Sequence, residues 1–408
     1  MRDHSTHVSG SRHEVVDALL SEWHFAREAE TVPVAQACGR VSAQQVVSTN
    51  QLPNWPTSKM DAVAVHFDDF AGGMPNTSAW VRGADWQFCN TGVAMPKGFD
   101  TAIRIEAAEV SADEESIKLN YVPQCRGESV TQVGAVLQPG DVLVEVGQVI
   151  TPVTCSVLSM GGHTQVSVVK KPVVMFIPTG NELIDVTDAV PVGKNIDSNS
   201  ALICAKLEQW GARPVRHPLI PDDPDQILAA LRAGTAQADI VVINAGSSKG
   251  SDDFTCEILE REGRVLFHEV NQGPGRHCSF SVLDGKPVIG ISGPPVGAEF
   301  TSDLFIKPFV DVYLGANTAY PPTVRARMLD SASGHSRPMT MVRRVAVRRT
   351  RDDAFVARAV ALDDRPALRF ADNANGLVFL GPNSRGWEPG DMVEVELRWP
   401  YTLPPYVD

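Results

Sequence analysis

The chain has 408 residues, more than one ordinary hydrophobic core holds, so two to four domains are expected. Its 43% hydrophobic and 21% charged residues are typical of a globular protein and exclude a largely disordered one. With 36 Lys and Arg against 49 Asp and Glu the net charge is −13, which argues against sequence-independent nucleic-acid binding.

Cysteine usage and hydropathy narrow the class further. The 7 cysteines are scattered singly and no CxxC pair occurs, which disfavours a zinc or iron–sulfur site and a disulfide framework. No apolar run approaches the length of a membrane span, and the start Met1-Arg2-Asp3-His4 lacks the apolar region of a secretory signal. We therefore expect a cytoplasmic protein with no nucleic-acid or membrane partner.

The first predicted element is a helix near the N-terminus. Ser11 and Glu14 match a capping box ahead of apolar residues that share one helical face. This helix and the segment up to about Val47 are interpreted as one structural unit. A short helix and a strand predicted within Gly147–Lys171 would rejoin that unit, making it discontinuous in sequence.

Two other regions are rich in short β-prone segments. Between Ala64 and Gly147 such segments, including Ala79–Arg82 and Thr101–Ile105, predict a small β domain. The last ninety residues contain three clearer strands separated by turn residues, which predicts a small β-barrel or sandwich. These strands are Met341–Val347, Gly376–Leu380 and Met392–Leu397.

The region from about Pro172 to Gly315 alternates strands and helices. Three apolar runs in it, Val173–Ile177, Ile240–Ile243 and Val288–Ile291, each lead directly into a small polar loop. Such runs, bounded by turn residues, are typical of a parallel sheet covered on both faces. Ligands of these sheets bind outside the carboxyl ends of the strands, where the three loops would converge. We interpret the loops as a phosphate-binding enzyme site.

Two short motifs in this region carry both functional and purely structural interpretations. In Thr179–Leu183 a hydroxyl and exposed amides suit a phosphate or a pterin edge, and Glu182 suits Mg²⁺ or the orientation of a water molecule. An ordinary strand-to-helix turn explains the same residues. Asp197-Ser198-Asn199 precedes a helix, and helix capping is the dominant expectation for it.

Two further loops favour anion or cation binding. Residues Asn244–Asp253 combine glycines, serines, Lys249 and two aspartates after a strand, which favours hard-cation or phosphate binding over a plain solvent loop. The loop does not match the Walker pattern, and no GxGxxG occurs in the chain. In Gly273–His277 the guanidinium of Arg276 suits an oxyanion, although a tight turn with a surface arginine is the alternative.

Taken in order, these motifs resemble the molybdopterin molybdenumtransferase family, which comprises the MoeA proteins and the E domain of gephyrin. The resemblance covers nearly the whole chain. The family's segments are matched here by Ser58–Ala62, Asn90–Pro96, Thr179–Leu183, Asp197–Asn199, Asp222–Pro224 and Asn244–Phe254. The last match places the family's aspartate at Asp253. The combination is far more specific than any one motif.

The resemblance implies an α/β and β multidomain fold. It implies a MogA-like α/β domain with a parallel-rich sheet at 172–318 and a C-terminal β-barrel at 319–408. It further implies two domains in the first part of the chain. These are an elongated discontinuous helical domain at 1–47 plus 148–171 and a β domain at 48–147. The implied reaction is Mg²⁺-dependent insertion of molybdate, or tungstate, into adenylylated molybdopterin with release of AMP. Family members are usually homodimers whose cleft the partner's β domain completes, and a molybdoenzyme is a possible recipient.

The family's functional residues transfer to matching positions of this chain. Catalytic roles fall on Asp61, Glu182 and Asp253, and Mg²⁺ ligation falls on Glu182 and Asp253. Substrate-binding roles fall on Thr91, Thr179, Gly180, Asn181, Asp197, Ser198, Asn199, Asp222, Gly246, Ser247, Ser248, Lys249, Gly250, Gly275, Arg276, Gly293 and Pro295.

The chain also departs from the family's pattern. The family's Lys-Pro-Gly-Lys-Pro loop becomes Gly273–His277, its Pro-Gly-Asn-Pro becomes Ser292–Pro295, and its serine-rich C-terminal loop becomes Leu368–Asp372. These are regions that the family uses for the molybdate oxyanion. Two hypotheses follow: a working insertase in which Arg276 replaces lysine charge, or a non-catalytic molybdopterin carrier or scaffold. The retained acidic residues favour the enzyme, because carboxylates near a phosphate require an intervening cation.

Overall fold

The computed structural model describes residues 8–187, 189–244, 254–315, 320–352, 354–360, 368–398, 400 and 406–407. The chain forms two compact units. We call residues 29–169 the inserted unit, and residues 1–28 with 170–408 the main unit. The helices are α1 (Arg12–Glu22), α2 (Pro152–Met160), α3 (Ser198–Gln209), α4 (Pro224–Gln237), α5 (Thr255–Glu262), α6 (Pro295–Thr301) and α7 (Lys307–Tyr313).

The inserted unit is built from short antiparallel ladders. Its strands of three or more residues are β1 (Ala29–Pro33), β2 (Ala62–Val65), β3 (Trp86–Cys89), β4 (Thr101–Arg104), β5 (Ala108–Val110), β6 (Ile117–Leu119), β7 (Val142–Val144) and β8 (Gln165–Val169). Strand β2 lies between β3 and β4, β5 pairs with β6, and β1 pairs with β8. Helix α2 contributes Leu158 to the core that also contains residues of β7 and β8.

Strand β2 explains how this small sheet buries both faces. Its four residues alternate alanine and valine, and all four are buried. Because side chains alternate across a strand, Ala62 and Ala64 pack in one cluster while Val63 and Val65 pack in another. The predicted β segment Ala79–Arg82 is wrong. Ala79 is the last residue of a 3₁₀ turn, Thr77–Ala79, the amide of Val81 donates to Asp85 Oδ2 at 2.7 Å, and Arg82 forms an isolated bridge with Trp86.

The main unit contains the six-stranded sheet that the apolar runs predict. Its strands are β9 (Val173–Pro178), β10 (Arg213–Arg216), β11 (Ile240–Asn244), β12 (Arg264–Phe267), β13 (Ser279–Leu283) and β14 (Lys286–Gly290), in the order β10-β9-β11-β14-β13-β12. The first four run parallel to one another. Strand β13 runs antiparallel to β14, and β12 runs antiparallel to β13. Every residue of β9 and β11 is buried, as expected for central strands of a sheet covered on both sides.

Helix boundaries in this unit follow local sequence signals. The capping box before α1 is present, with Ser11 accepting the amide of Glu14 while Glu14 accepts that of Ser11. Helix α4 begins with Asp223 as N-cap and a proline in its first turn, a common helix start. A π-helical segment, Ser302–Ile306, joins α6 to α7. Among the described residues, none of the helices combines the length and the apolar character needed to cross a membrane.

The C-terminal part of the main unit is a closed barrel of five strands. These are β15 (Thr323–Met328), β16 (Thr340–Thr350), β17 (Phe355–Ala359), β18 (Gly376–Leu380) and β19 (Met392–Leu397). They hydrogen-bond in the order β16-β17-β15-β19-β18, and β18 pairs with β16 to close the ring. The predicted fold class, α/β combined with β elements and a C-terminal barrel, is confirmed.

A buried ion network joins the barrel to the helices after β14. Glu299 of α6 is 3% exposed. Its carboxylate forms ion pairs with Arg344 from β16 and with Arg398 from the segment after β19. Arg398 also donates to Asp303 of the π-helical segment at 2.6 Å, and Lys206 of α3 bonds the same carboxylate. Such a network is costly to interrupt, because removal of one member leaves a buried charge without its partner.

A cavity at the strand ends as the candidate functional site

The carboxyl ends of the central parallel strands form one edge of a cavity. The register pairs Pro178 of β9 with Asn244 of β11, and Ile243 with Gly290 of β14. A cavity of ≈ 450 Å³ lies at this edge. It is lined by Glu182, Leu183, Asn195, Ile196, Asp197, Ser198, Asn199, Asn244, Gly293, Pro294 and Pro295. Six of the predicted site residues therefore share one cavity.

The turn after β9 fixes the position of Glu182. Thr179 is buried, and its hydroxyl donates to the carbonyl of Asn244 at 3.0 Å. Gly180 has φ +150, and a Cβ there would lie 2.8 Å from Glu182 Oε2 and 3.0 Å from Leu183 Cγ. The turn therefore requires a glycine, because any side chain would displace the carboxylate that lines the cavity.

Asn181 and Asp222 clasp this turn from outside the cavity. The amide of Asn181 donates to Asp222 Oδ2 at 3.0 Å, and the amide of Asp222 donates to Asn181 Oδ1 at 3.3 Å. Lys194 adds a bond from its ammonium group to the carbonyl of Asn181 at 2.6 Å. Both predicted residues thus hold the loop, and neither is among the residues that line the cavity.

Asp197 caps a helix, as its sequence position predicts. Its Oδ1 accepts the amide of Ser200 at 3.0 Å, and its Oδ2 accepts Arg216 Nη2 at 3.0 Å. The side chain of Asp197 is 1% exposed. Ser198, by contrast, is exposed at the start of α3 and lines the cavity. Within this motif, the carboxylate of Asp197 therefore has a structural role, while the hydroxyl of Ser198 is accessible.

Asn199 connects two strand-end loops. Its amide nitrogen donates to Asn244 Oδ1 at 2.8 Å and to the carbonyl of Gly293 at 2.9 Å. The side chain is nearly fully buried, and its Oδ1 has no hydrogen-bond partner among the described residues. One amide group therefore bridges the end of β11 and the loop after β14.

Arg276 forms an ion pair away from the cavity lining. Its Nε and Nη2 donate to Glu269 at 3.0 and 2.6 Å, and this hydrogen-bonded carboxylate raises the pKa of Arg276. Gly275 has φ +88, and a Cβ there would lie 2.8 Å from Thr301 Oγ1. The loop 273–277 therefore packs closely on α6, while its guanidinium is engaged by a carboxylate.

The remaining predicted residues fall into two groups. Asp61 and Thr91 belong to the inserted unit, where the Thr91 amide and hydroxyl donate to Asp61 Oδ1 at 2.9 and 3.0 Å. These bonds lower the pKa of Asp61. The other group, Gly246, Ser247, Ser248, Lys249, Gly250 and Asp253, lies outside the described residues.

The charge of the cavity decides what it can bind. Its described lining carries two carboxylates, Glu182 and Asp197, and no lysine or arginine. Asp197 is already paired with Arg216, so Glu182 is the carboxylate that a cation would have to offset if a phosphate were bound there. Within the described part of the chain there is no cluster of three or more metal-ligating side chains. Few protein ligands are typical of Mg²⁺, which keeps waters and binds through one or two carboxylates plus substrate phosphates.

Sequence reasoning missed some residues that build this site. Asn195 and Ile196 line the cavity, and Arg216 holds Asp197 from the end of the edge strand β10. Asn244 and Pro294 also line the cavity; both are predicted in strand-end loops, without an individual role for either. The partnership of Arg216 with Asp197 joins residues 19 apart and has no local signal.

The fold combines an α/β sheet with a cavity at its strand ends, an inserted β-rich unit and a small barrel. Comparison with known proteins gives two family matches. The MoeA N-terminal region (domain I and II) matches residues 11–162, and a probable molybdopterin binding domain matches residues 175–312.

Similar whole proteins agree with these matches. A molybdopterin molybdenumtransferase of Staphylococcus aureus (strain COL) is 28% identical over 401 residues, covering 94% of each chain. A molybdopterin molybdenumtransferase of Staphylococcus epidermidis (strain ATCC 12228) is 25% identical over the same length. The crystal structure of a molybdopterin biosynthesis MoeA protein from Pyrococcus horikosii matches with a TM-score of 0.76 and 23% identity, covering 96% of this chain and 99% of that one. The chain belongs to the MoeA family.

Proposed function

We propose that this protein is a molybdopterin molybdenumtransferase of molybdenum cofactor biosynthesis. In the proposed reaction, molybdate or tungstate is transferred onto the dithiolene of adenylylated molybdopterin, and water cleaves the phosphoanhydride bond to the adenylyl group, which leaves as AMP. Relatives that carry this enzyme name align over 94% of the chain, which supports the assignment.

The observation that carries the proposal is the cavity at the strand ends. Its ≈ 450 Å³ lies within the range of about 300–1,000 Å³ that is typical of small-molecule sites. It lies outside the carboxyl ends of parallel strands, the usual ligand position in such sheets. The exposed Ser198 hydroxyl and the loop that contains Gly293 supply polar groups for a pterin or a phosphate.

Mg²⁺ fits the donor set of this site. Glu182 would hold it together with Asp253, which lies outside the described residues, and the described lining contains no protein cation to take its place. When bound, the ion offsets the charge of the phosphates and polarises the phosphoryl oxygens. Asn199 and Thr179 would keep the loops at a fixed separation around the substrate. Asp61 and Thr91 are proposed to act from the inserted unit, and a homodimer and a molybdoenzyme recipient belong to the same proposal.

A second candidate function is a molybdopterin carrier that does not insert metal. The observation that favours it is the engagement of Arg276 with Glu269, because this guanidinium is the residue proposed to replace the family's lysine charge. Metalate binding at Arg276 would have to compete with that carboxylate. We place the enzyme first, since a carrier has no need of carboxylates beside a bound phosphate.

The test is release of AMP from adenylylated molybdopterin by the purified protein, with Mg²⁺ and with molybdate or tungstate supplied separately. We expect AMP release that Glu182→Gln and Asp253→Ala reduce by at least tenfold. The matched control is Glu208→Gln, which removes an exposed carboxylate of α3 outside the cavity. Substrate binding without AMP release would instead support the carrier, and equal activity in Glu182→Gln and the control would refute the assigned role of Glu182.

The role of Arg276 has its own test. Arg276→Ala is expected to weaken the metalate dependence of the reaction, while Glu269→Gln, which frees the guanidinium, is expected to strengthen it. If both variants responded to metalate as the wild type does, Arg276 would be excluded from oxyanion binding.

A further inference from the structure

The segment that contains the barrel strands β15, β16 and β17 has a charge opposite to that of the whole protein. Between Tyr320 and Val360 the sequence contains nine arginines, no lysine and three aspartates, a local net charge of +6 in a chain of −13. The remaining barrel residues, 361–408, contain four arginines and eight acidic residues, so the positive charge is concentrated on the segment that forms β15, β16 and β17.

Strand register places four of these arginines on one outer face of the barrel. Val356 of β17 lies directly between Arg327 of β15 and Arg348 of β16, so the three side chains point to the same side. Arg325 and Arg358 are two residues away from Arg327 and Val356 along their own strands, and so they share that side. All four arginines are exposed, and we call them the arginine face.

The arginine face has no partner among the described residues. None of its four guanidinium groups forms an ion pair or a side-chain hydrogen bond there. Arg344, four residues before Arg348 on the same side of β16, is in contrast buried against Glu299. The outer surface of these strands is therefore covered at one end and open at the other.

Nearby carboxylates only partly offset this charge. Glu394 of β19 lies directly opposite Arg325, and Asp352 follows β16 close enough for Arg327 to help lower its pKa. Counting both, four positive charges face two negative charges. The surface keeps a net positive charge that no described group neutralises.

The spacing of the arginines suits an extended acidic chain. Arg325 and Arg327 are two residues apart on one strand, a separation of about 6.6 Å. Arg327 and Arg348 are two strands apart, about 9.6 Å. Carboxylates on every second residue of an extended segment repeat at about the same 6.6 Å, and guanidinium groups bind carboxylates in a fork geometry. We propose that the arginine face binds an acidic, extended segment of a partner protein.

Charge also favours a peptide over a nucleic acid. With +6 on this region, the remainder of the chain carries −19, since the total is −13. A long polyanion would be repelled by that remainder. A short acidic segment feels mainly the charges within a Debye length of about 8–10 Å.

The experiment measures binding of a fluorescent peptide of alternating Glu and Thr, eight residues long, to the full-length protein at two salt concentrations. Arg327→Gln/Arg348→Gln should weaken binding about tenfold. The control is Arg232→Gln/Arg261→Gln, which removes the same charge from exposed arginines already paired with carboxylates, and it should change binding less than twofold.

Three outcomes would overturn the proposal: no binding by the wild type, equal weakening in both double variants, or tighter binding of a 20-base-pair DNA than of the peptide. Thermal melting checks that the variants are folded. If Arg327→Gln/Arg348→Gln has a lower melting temperature than the wild type, Arg325→Gln/Arg358→Gln tests the same face independently. This second variant should weaken peptide binding by the same factor. Unchanged binding in that variant would also refute the proposal.

Discussion

Replacement of Asn199 by alanine tests whether one amide group holds the strand-end loops together. The substitution removes two hydrogen bonds, to Asn244 Oδ1 at 2.8 Å and to the carbonyl of Gly293 at 2.9 Å. Each acceptor left unpaired in a buried place costs about 1–3 kcal/mol. Because the adjacent cavity admits water that can hydrate them in part, we expect a loss of about 2–4 kcal/mol for the pair.

The assay is thermal unfolding of the full-length protein. At about 3 °C per kcal/mol for a unit of this size, Asn199→Ala should lower the melting temperature by about 6–12 °C. Ser198→Ala is the matched control, since that exposed neighbour on the same helix should shift melting by about 1 °C or less. Asn199→Asp separates hydrogen bonding from packing. It keeps the shape of the side chain but replaces the nitrogen that donates to both acceptors with an oxygen that does not donate.

The reasoning would be refuted if Asn199→Ala melted within about 2 °C of Ser198→Ala. It would also be refuted if Asn199→Asp were as stable as the wild type, because packing rather than hydrogen bonding would then hold the loops.

Further predictions concern the turn after β9 and the buried ion network. Gly180→Ala should reduce AMP release at least tenfold by displacing Glu182, with a stability loss of only about 1–3 kcal/mol; full activity would contradict the proposed crowding. Glu299→Gln should cost about 3–5 kcal/mol in urea unfolding, against less than about 0.5 for the exposed Glu208→Gln, and equal midpoints would contradict it. Burial opposes ionisation of Asp303, but Lys206 and Arg398 outweigh it and hold the pKa of that carboxyl below its ordinary 3.8. Its stabilising contribution is therefore complete above pH 3.8 and lost as the pH falls through the lowered value. The melting difference between wild type and Asp303→Asn should narrow only below pH 3.8, and a difference independent of pH would contradict this.

Much of the fold could be predicted from local sequence because its causes are local. The apolar runs that became β9 and β11 have no polar residue to place at a surface, and Asp223 with the following proline begins α4 through its own side chain. The prediction of a strand at Ala79–Arg82 was wrong because the backbone groups of Val81 bond to Asp85 in a local turn instead of to a neighbouring strand.

The candidate site was predictable only in part. Parallel strands bring their carboxyl ends to one edge whatever the loops contain, so the location of the cavity follows from the strands alone. Which side chains face it depends on distant pairs. Arg216 holds Asp197, and Glu269 draws Arg276 into an ion pair, and neither contact leaves a pattern in the local sequence.

The ion network between α6 and the barrel limits how this protein can be recombined with its relatives. A chimera whose foreign barrel lacked arginines at the positions of Arg344 and Arg398 would keep Glu299 and Asp303, and only Lys206 would remain to balance these two anions. Domain exchange should therefore succeed only when these side chains are transplanted as a set.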